Sequence, residues 1–445
     1  MEMEMELSSL VSLVVPIILL VLPVILVATF ALRTEPRSSS AKGLPPGSFG
    51  WWIMGETLEF MFGNPENFML SRMRKYSPHI FKTKIMGEET AVICGPEGHK
   101  FLFSNQQKLP GFLKHEALVR YLDKMDAITQ QQMNKYWENR DQVEAFTLSK
   151  TLTLTLACRF FLGIDEPERI SRLVNHFDNI TVGMHSLPLD FPGTGFYKAN
   201  KAAKAIRREL KEVIKEKKAS MVAGAAMQDV LCHMIVTTDE AGKFMAETEI
   251  ADKIMGLLVA GYSTVATAMT FFMKYVGERP DIYAKILAEQ LEVESGKKAG
   301  KLLEWDDIQK MKYSWNVICE VMRLTPALQG TFRVPSLILL MQIYWTVSTT
   351  NKNPEYFPEP QKFDPSRYDE GNKLPAFAFV PFGGGPRTCP GKEYARLAIL
   401  TFVHNVVKRF EWEMVNPKEK ILWRMMPTPA NALPIRLSPR YSTTF

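Results

Sequence analysis

The sequence predicts a mainly α-helical fold with a small β portion. Hydrophobic residues make up 46% of the 445 residues, which is enough to fill one large core. Only 26 residues are glycine, and long stretches consist of good helix formers. Strand-like composition is confined to a few short segments. We therefore expect one helical domain in which short strands are a minor element.

The N-terminal segment predicts a membrane anchor. Residues 7–32 contain no charged side chain, and this run is longer than the roughly 20 residues needed to cross a bilayer. Acidic residues precede the run, and Arg33, Arg37 and Lys42 follow it, so the positive-inside rule places the main domain in the cytosol. A cleaved signal peptide is the alternative, but it would begin with basic residues and have an apolar core of only about 7–15 residues.

The chain is accordingly expected to have three parts. Residues 1–33 would form the membrane anchor, and residues 34–50, which are rich in proline and serine, would form a linker. Residues 51–445 would form the large domain.

Short elements open this domain. We expect helices at 58–69 and 69–76, followed by strands at 81–85 and 90–94 with Gly87 in the turn between them. The pattern then predicts helices at 97–103, 116–140 and 146–162, a loop at 188–195, helices at 197–218, 249–275, 280–294, 305–311 and 313–324, strand character at 333–348, and a last long helix at 394–410. The run at 249–275 is long and apolar, which predicts a central helix.

Composition excludes several classes of protein. The five cysteines, at positions 94, 158, 232, 319 and 389, are odd in number and include no Cys-x-x-Cys pair. This pattern indicates neither a disulfide framework nor a zinc site, and it suits a reducing compartment. The formal net charge is +6, and basic residues are mixed with acids. Without an arginine-rich stripe interleaved with aromatic residues, no nucleic-acid partner is expected.

The run FGGGPRTCPG at 382–391 is the most informative segment of the chain. It places Cys389 in a glycine-rich loop, with Arg387 two residues before it and a helix-like segment after it. Glycines let backbone N–H groups turn toward the sulfur, and the start of the following helix favours an anion. A thiolate in such a loop suits a metal, and Cys thiolate is a known axial ligand of haem iron. The alternative is a glycine turn with a buried structural cysteine.

The spacing of Phe382, Gly385, Arg387, Cys389 and Gly391 resembles the haem-ligand signature of the cytochrome P450 superfamily. The resemblance implies a P450 fold in which haem b (iron protoporphyrin IX) lies between the long central helix and the helix after the cysteine loop. It also implies that Cys389 is the fifth iron ligand, that Phe382 packs beside the sulfur, and that Arg387 pairs with a haem propionate.

A second cluster concerns the support of this loop. Glu320 and Arg323 stand three apart on one predicted helix, so their side chains share a face. A surface ion pair is the alternative and would stabilise the fold little, but the apolar flanks at 317–324 predict burial, and a buried arginine needs several acceptors. The segment 363–368 supplies Arg367. The three residues resemble the family's Glu-x-x-Arg and Pro-x-Arg triad, which supports the cysteine loop.

A third cluster interrupts the central helix with a glycine and hydroxyl groups. Gly261 is unfavourable in a helix by about 1 kcal/mol relative to alanine, which suggests a specific role. By the resemblance, Ala260 and Gly261 border the haem, and the Thr264 hydroxyl helps to seat dioxygen and relay protons. The family usually has an acid before this threonine; Ser263 stands there, so we expect protons to pass through hydroxyls and water. A helix–helix crossing point is the alternative.

Two weaker signals complete the site. By the resemblance, Arg333 binds the second haem propionate, for which the guanidinium fork is well suited; a solvent-exposed loop arginine is the alternative. Residues 429–433 resemble the loop that reaches into the substrate pocket, although they also fit an ordinary terminal strand. Leu257, Leu258 and Val259 on the central helix predict an apolar pocket.

Four segments, 44–60, 95–105, 190–194 and 381–406, resemble the plant branch of P450s that oxidises pentacyclic triterpenes, whose best-known members are β-amyrin 28-monooxygenases. The resemblance implies a hydrophobic triterpene substrate, oxidised at the C-28 methyl group with O2. It implies electrons from NADPH–cytochrome P450 reductase. It also implies a single-pass protein of the endoplasmic reticulum membrane with a cytosolic catalytic domain.

Two segments depart from the family pattern. Residues 105–109 run directly into residues 110–114, where relatives carry a few dozen more residues, including a Trp-x-x-x-Arg element that covers a haem propionate. Residues 334–342 (VPSLILLMQ) stand where relatives have a longer polar β-hairpin. A mis-spliced or mis-predicted transcript would explain both departures, and a real variant with an open haem edge is the alternative. The corresponding functional alternative is a catalytically impaired or haem-poor membrane-anchored variant that binds ligand or partner without turnover.

Overall fold

The computed structural model describes residues 44–51, 54–104, 118–184, 186–224, 229–239, 241–298, 300–333 and 341–440. The chain divides into two compact units, 1–45 and 46–445, and every element described below belongs to the second. The predicted anchor at 1–33 lies outside the described residues, as do residues 34–43 of the linker.

Helices dominate the described residues, which confirms the predicted mainly helical fold. In chain order they are α1 (Thr57–Phe62), α2 (Pro65–Lys75), α3 (Gly95–Ser104), α4 (Leu122–Tyr136), α5 (Ala145–Ala157), α6 (Pro167–Met184), α7 (Gly195–Val222), α8 (Val230–Val236), α9 (Glu247–Gly277), α10 (Pro280–Ser295), α11 (Trp305–Lys310), α12 (Lys312–Leu324), α13 (Ser348–Asn351) and α14 (Lys392–Arg409). Two of them, α6 and α8, were not expected from the sequence. The helix α6 exposes many polar residues, and only Ile170, Leu173 and Phe177 mark its buried side at helical spacing.

The helix predicted at 58–69 is two helices. The first ends before Gly63, whose backbone is extended. Asn64 then caps α2, because its side chain accepts a hydrogen bond from the backbone N–H of Glu66, and Pro65 occupies the first helical position. Proline lacks an N–H donor and is therefore favoured at a helix start but not inside a helix. This local chemistry outweighs the helix-like composition of the segment.

The strands form small sheets at the edge of the helical body. They are β1 (Ile80–Ile85), β2 (Glu88–Ile93), β3 (Gln142–Glu144), β4 (Gly330–Arg333), β5 (Gln342–Thr346), β6 (Phe410–Met414), β7 (Ile421–Leu422), β8 (Thr428–Pro429) and β9 (Pro434–Pro439). One sheet has the order β1-β2-β5-β4, a second β3-β9-β6, and a pair joins β7 to β8. The strands expected near 81–85 and 90–94 are confirmed as β1 and β2. The strand character expected at 333–348 is found in β4 and β5, while residues 334–340 lie outside the described residues.

The central helix α9 organises the core. Its second half is buried on nearly all sides, and α5, α7, α12 and α14 pack around it. By length and composition α9 is the one helix among the described residues that could cross a membrane, but 61% of its apolar window is buried inside the protein, so it is a core helix. After α5 the chain continues in one π-helical turn, Cys158–Leu162, which adds aromatic side chains to the same core.

Candidate active site

A cavity of about 300 Å³ lies between α9 and the loop that precedes α14. The residues that α9 contributes to its wall share one face of the helix: Leu257, Ala260, Gly261, Thr264, Val265 and Ala268. Of the three apolar residues expected to line a pocket, only Leu257 does so. Leu258 is fully buried in the protein core, because successive helical residues point about 100° apart and three consecutive ones cannot share a face.

The cysteine loop forms the opposite wall of this cavity. Phe382, Arg387, Cys389 and Gly391 all border it. The backbone folds back on itself, since the N–H of Cys389 donates to the carbonyl of Phe382 at 2.8 Å. The sulfur borders the cavity and is otherwise surrounded by protein. This burial raises the pKa of the Cys389 thiol, and the N–H of Gly391, which donates to the sulfur, opposes the shift.

The glycines of this loop allow a close approach by α3. A Cβ atom on Gly384 would lie 2.5 Å from the ring of Phe103, and one on Gly385 would lie 2.2 Å from the Phe103 carbonyl oxygen. Gly385 also has a φ of +63°, which disfavours residues with a side chain. The loop can therefore keep its shape against α3 only with glycine at these positions.

The Glu320 side chain joins two arginines behind the loop. Glu320 and Arg323 are both 0% exposed, and their closest N–O distance is 2.7 Å. Arg367 approaches the same carboxylate at 3.4 Å, and the backbone N–H of Asp364 donates to it at 2.8 Å. Arg323 also donates to the Asn351 carbonyl. The triad named from the sequence therefore meets, and it ties α12 to the segment that leads toward the cysteine loop.

Two arginines border the cavity from different segments. Arg333 lies at the end of β4 and Arg387 in the cysteine loop. Arg333 donates to the carbonyl of Phe332 at 3.0 Å, but its buried Nε has no hydrogen-bond partner. Burial, and then the positive charge of Arg387, lower the pKa of Arg333. Within the described part of the chain no carboxylate pairs with either arginine, so this end of the cavity fits a ligand that brings carboxylates of its own.

The hydroxyl cluster of α9 is divided between two sides of the helix. Thr264 borders the cavity, and its hydroxyl donates to the Ala260 carbonyl at 2.6 Å. Ser263 is 4% exposed and points toward α6, where its Oγ lies 3.4 Å from Oγ1 of Thr181. A Cβ on Gly261 would make only ordinary contacts, the nearest at 3.7 Å. Glycine there keeps the cavity wall open rather than relieving a clash.

Several lining residues were not expected from the sequence. Trp345 of β5 and Tyr394 of α14 border the cavity, and both have a buried polar atom without a hydrogen-bond partner among the described residues. Phe161, from the π-helical turn, packs against Tyr394 with ring centroids 5.1 Å apart. Tyr394 could have been noticed from its place one turn into the helix after Cys389, whereas Trp345 and Phe161 carry no such signal. By contrast, residues 429–433 lie against the start of α5, where the N–H of Ala145 donates to the Leu433 carbonyl.

The donor set suits an iron porphyrin. Among the described residues no three His, Cys, Asp or Glu side chains are grouped to hold a bare metal ion, so Cys389 faces the cavity as a single soft ligand. A metal that already carries four ring nitrogens needs only such an axial ligand from the protein. The unpaired Arg333 and Arg387 add two cations at the cavity wall, which matches the two carboxylates of haem b.

Comparison with known proteins gives a consistent result. The family model described as "Cytochrome P450" matches residues 127–434. The chain is 47% identical to a β-amyrin 28-monooxygenase of Panax ginseng, over 92% of this chain and 94% of that protein. It is 45% identical to a β-amyrin 28-monooxygenase of Solanum lycopersicum, over 91% of this chain and 95% of that protein. A protopanaxadiol 6-hydroxylase of Panax ginseng is 42% identical, with 91% and 94% covered.

The match with the first Panax ginseng relative also bears on the length of this chain. It extends over 454 positions although it covers only 92% of the 445 residues. The relative therefore has internal positions that this chain lacks, in keeping with the shortening expected after residue 109.

A solved structure extends the likeness to the fold. The retinoic-acid-bound cyanobacterial CYP120A1 superimposes with a TM-score of 0.78 at 27% identity, and the match covers 89% of this chain and 99% of that chain. Since a family model, close relatives and a solved fold agree with a cavity that faces a lone cysteine, the chain belongs to the cytochrome P450 family and is a haem-thiolate monooxygenase.

Proposed function

We propose that this monooxygenase oxidises the C-28 methyl group of a pentacyclic triterpene such as β-amyrin. It would use O2 and electrons from NADPH–cytochrome P450 reductase. The observation that carries the proposal is the cavity itself. It brings Cys389 and Thr264 to one space, and the rest of its wall is mostly apolar. The names of the relatives supply the substrate class, since several of them are β-amyrin 28-monooxygenases.

The proposal assigns the cofactor contacts as follows. Cys389 is the axial ligand of the haem iron, and Arg333 and Arg387 hold its two carboxylates. The remaining residues that border the haem are Phe382, Gly385, Gly391, Ala260 and Gly261. When bound, a thiolate-ligated haem activates dioxygen for insertion into a C–H bond.

The surroundings of Cys389 support its role as a thiolate. Burial opposes an anion at the sulfur, so the thiol by itself stays protonated. The N–H of Gly391 favours the anion, and a bound metal favours it far more. Glu320, Arg323 and Arg367 act one layer behind, by fixing the chain that leads to the loop.

Thr264 is the hydroxyl assigned to hold a proton beside the cofactor. Its own hydrogen is donated to the Ala260 carbonyl, so its oxygen lone pairs can accept a hydrogen bond from the cavity side. Ser263 stands where the family usually has an acid, and it reaches Thr181 rather than the cavity. Because a serine does not ionise near neutral pH, protons on this route must be passed between hydroxyls and water.

Substrate binding would depend on apolar burial and shape. A polycyclic hydrocarbon gains roughly 25 cal/mol for each Å² removed from water, and the walls around Leu257, Val265 and Met322 offer almost no hydrogen bonds. Orientation must then come from the fit of the ring system to these walls. The same walls exclude water from the reacting carbon.

The proposal also includes the placement of the chain. Residues 1–33 would anchor it in the endoplasmic reticulum membrane, residues 34–50 would link the anchor, and residues 51–445 would form the cytosolic catalytic domain. Lys392 and Arg396 at the start of α14 are candidates for contact with the reductase.

The test is spectroscopic and catalytic together. The full chain, reduced under carbon monoxide, should show the red-shifted Soret band of a thiolate-ligated haem, and with the reductase and β-amyrin it should form oxidised product. Cys389→Ser should remove both, while Cys319→Ser, at a buried cysteine away from the cavity, should remove neither. If the band and the product both survive in Cys389→Ser, the assignment of the ligand is wrong.

The second candidate function is a haem-poor membrane-anchored protein that binds a ligand or partner without turnover. The positions that the Panax ginseng relative has and this chain lacks favour it. Haem content near zero in a folded, monodisperse preparation would support this candidate. A genomic sequence that still encodes the absent helix near codons 109–110 would instead indicate a mis-spliced transcript.

A further inference from the structure

A row of cations follows the outer side of α7. Lys201, Lys204, Arg208, Lys211 and Lys215 recur at intervals of three and four residues, so they form one line along the helix. We call these five residues the basic row. At a rise of 1.5 Å per residue the row is about 21 Å long. The residues that α7 buries lie on its opposite side: Ala202, Ile206, Leu210, Val213 and Ile214.

The acids of the same helix do not neutralise this row. Glu209 and Glu216 both pair with Arg169 of α6, at 2.5 and 2.8 Å. Glu212 pairs with Lys215 at 3.3 Å. Among the described residues no acid forms an ion pair with any of the first four cations of the row. Its charge is therefore directed at solvent.

Other cations of α7 differ from the row. Each of three pairs with an acid of a neighbouring segment: Arg207 with Asp252, Lys217 with Asp229, and Lys218 with Glu247. These pairs lie on the flanks of the helix, where α7 meets the rest of the domain. The segregation of unpaired cations to the outer side indicates a surface for an anionic partner rather than a generally solvated helix.

Exposed apolar side chains lie where α7 begins. Val182 and Met184 at the end of α6, and Leu189 and Phe191 in the loop between α6 and α7, are each about half exposed, at 48 to 56%. We call these four residues the apolar cluster. Cations beside exposed apolar side chains are typical of surfaces that bind at the lipid interface, because headgroups meet the charge and the acyl boundary accepts the apolar groups. An acidic protein partner would need the charge but not this cluster.

We propose that the basic row binds the anionic headgroups of the membrane that carries the chain, with the apolar cluster at the lipid interface. The inference rests on the proposed anchor, because a chain tethered at residues 1–33 always has a lipid surface within reach. It is independent of the proposed substrate. Each cation near an anionic leaflet strengthens the attraction about fivefold, so the row can hold the domain against such a membrane.

The experiment compares lysine reactivity in two kinds of nanodisc. The full chain is incorporated into discs of phosphatidylcholine alone or with a minority of phosphatidylserine, and acylation of individual lysines is followed by mass spectrometry. Lys201, Lys204 and Lys211 should react about fivefold more slowly, or slower still, in the phosphatidylserine discs. High salt should restore their reactivity, because it screens exposed charges. Lys285 and Lys373, which are exposed on other surfaces, should react equally in both discs.

Variants separate docking from simple shielding. Lys204→Gln/Arg208→Gln should abolish the protection of Lys201 and Lys211. The matched variant Lys285→Gln/Lys373→Gln, which removes the same charge elsewhere, should leave that protection intact.

Three results would overturn the proposal. Lysine reactivity could be equal in the two discs, or protection could persist in high salt and in the row variant. Protection could also appear only when polyglutamate is added to phosphatidylcholine discs, which would indicate an acidic protein as the partner. A chain that binds discs only when they contain phosphatidylserine would support the basic row while contradicting the anchor.

Discussion

Arg333 and Arg387 come from segments far apart in the chain, yet both border one cavity, and the charge of Arg387 adds to burial in lowering the pKa of Arg333. Neither arginine pairs with an acid among the described residues. Two neighbouring cations without a counter-ion repel one another, and bound carboxylates would relieve that repulsion.

The first prediction concerns retention of the cofactor by these arginines. In Arg333→Gln or Arg387→Gln, haem should dissociate about 10- to 100-fold faster, because each variant loses charge-assisted hydrogen bonds of about 1.5–3 kcal/mol. The measurement is the transfer of haem to an excess of apomyoglobin. Arg172→Gln, at an exposed position of α6, is the control and should not change the rate. Equal rates in all four proteins would contradict the assignment of the two arginines.

The second prediction concerns the buried carboxylate of Glu320. Glu320→Gln should lower the free energy of unfolding by about 3–5 kcal/mol, because it leaves the fully buried Arg323 without a counter-charge. Denaturant unfolding of the domain, followed by far-UV circular dichroism, measures this loss. Glu359→Gln provides the control, since its pair with Lys362 is exposed and has an N–O distance of 3.8 Å; it should change stability by no more than about 1 kcal/mol. A small loss in Glu320→Gln would show that the triad does not hold the fold.

The third prediction concerns the hydroxyl that faces the cavity. Thr264→Ala should lower the product formed per NADPH consumed and raise peroxide release, because a proton is no longer held beside the cofactor. Thr264→Ser should retain most of the wild-type ratio. Thr267→Ala removes a hydroxyl of the same helix that donates to the Ser263 carbonyl away from the cavity, and it should leave the ratio unchanged. A similar ratio in Thr264→Ala and wild type would exclude the proposed role.

The fourth prediction concerns the residue before that threonine. Ser263→Asp would place an ionisable group where the family usually has one, beside Thr181. If proton supply limits coupling, this variant should raise the product formed per NADPH and reduce the solvent isotope effect on product formation. Ser263→Asn, which has a similar volume and no ionisable group, should do neither. An equal change in both variants would indicate an effect of packing alone.

The fifth prediction concerns stability below neutral pH. Burial lowers the pKa of both His99 and His404 below the usual value of 6.5. The unfolded chain therefore binds more protons than the folded chain as pH falls through 6.5, so stability is greatest above that pH and declines below it. Each histidine contributes a slope of up to about 1.4 kcal/mol per pH unit.

Thermal midpoints of the full chain between about pH 7.5 and pH 5 test this sign. His404→Gln, which can keep a polar contact with Gln290, should show a shallower decline than wild type. Glu294, whose pKa is lowered first by its hydrogen bond from His404, affects stability only below its usual value of 4.5. An unchanged slope in His404→Gln would mean that other groups cause the decline.

Much of the architecture followed from local patterns. The long apolar run at 249–275 predicted α9 to within two residues at either end, because a helix that is apolar on most sides must be a core helix. The Glu320–Arg323 contact followed from the three-residue spacing on one helix. Where the expectation failed, at Gly63 and Asn64, a proline start and a side-chain cap divided a segment of uniform composition.

The wall of the cavity was predicted less well. The sequence offered Leu257, Leu258 and Val259 together, although only Leu257 borders the space. It also grouped Ser263 with Thr264, whereas the two side chains point to different neighbours. Composition identifies an apolar helix, but the direction that each side chain takes depends on which helices pack against it.

The sequence by itself determined the family and the identity of the residue that faces the cofactor site, because the loop around Cys389 needs glycine, arginine and cysteine at fixed intervals along one short segment. Only the tertiary structure decided which other residues share that cavity. Arg333, Trp345 and Thr264 lie on separate strands and helices, and side chains so distant in sequence meet only through the packing of α9, β4 and β5 against the cysteine loop.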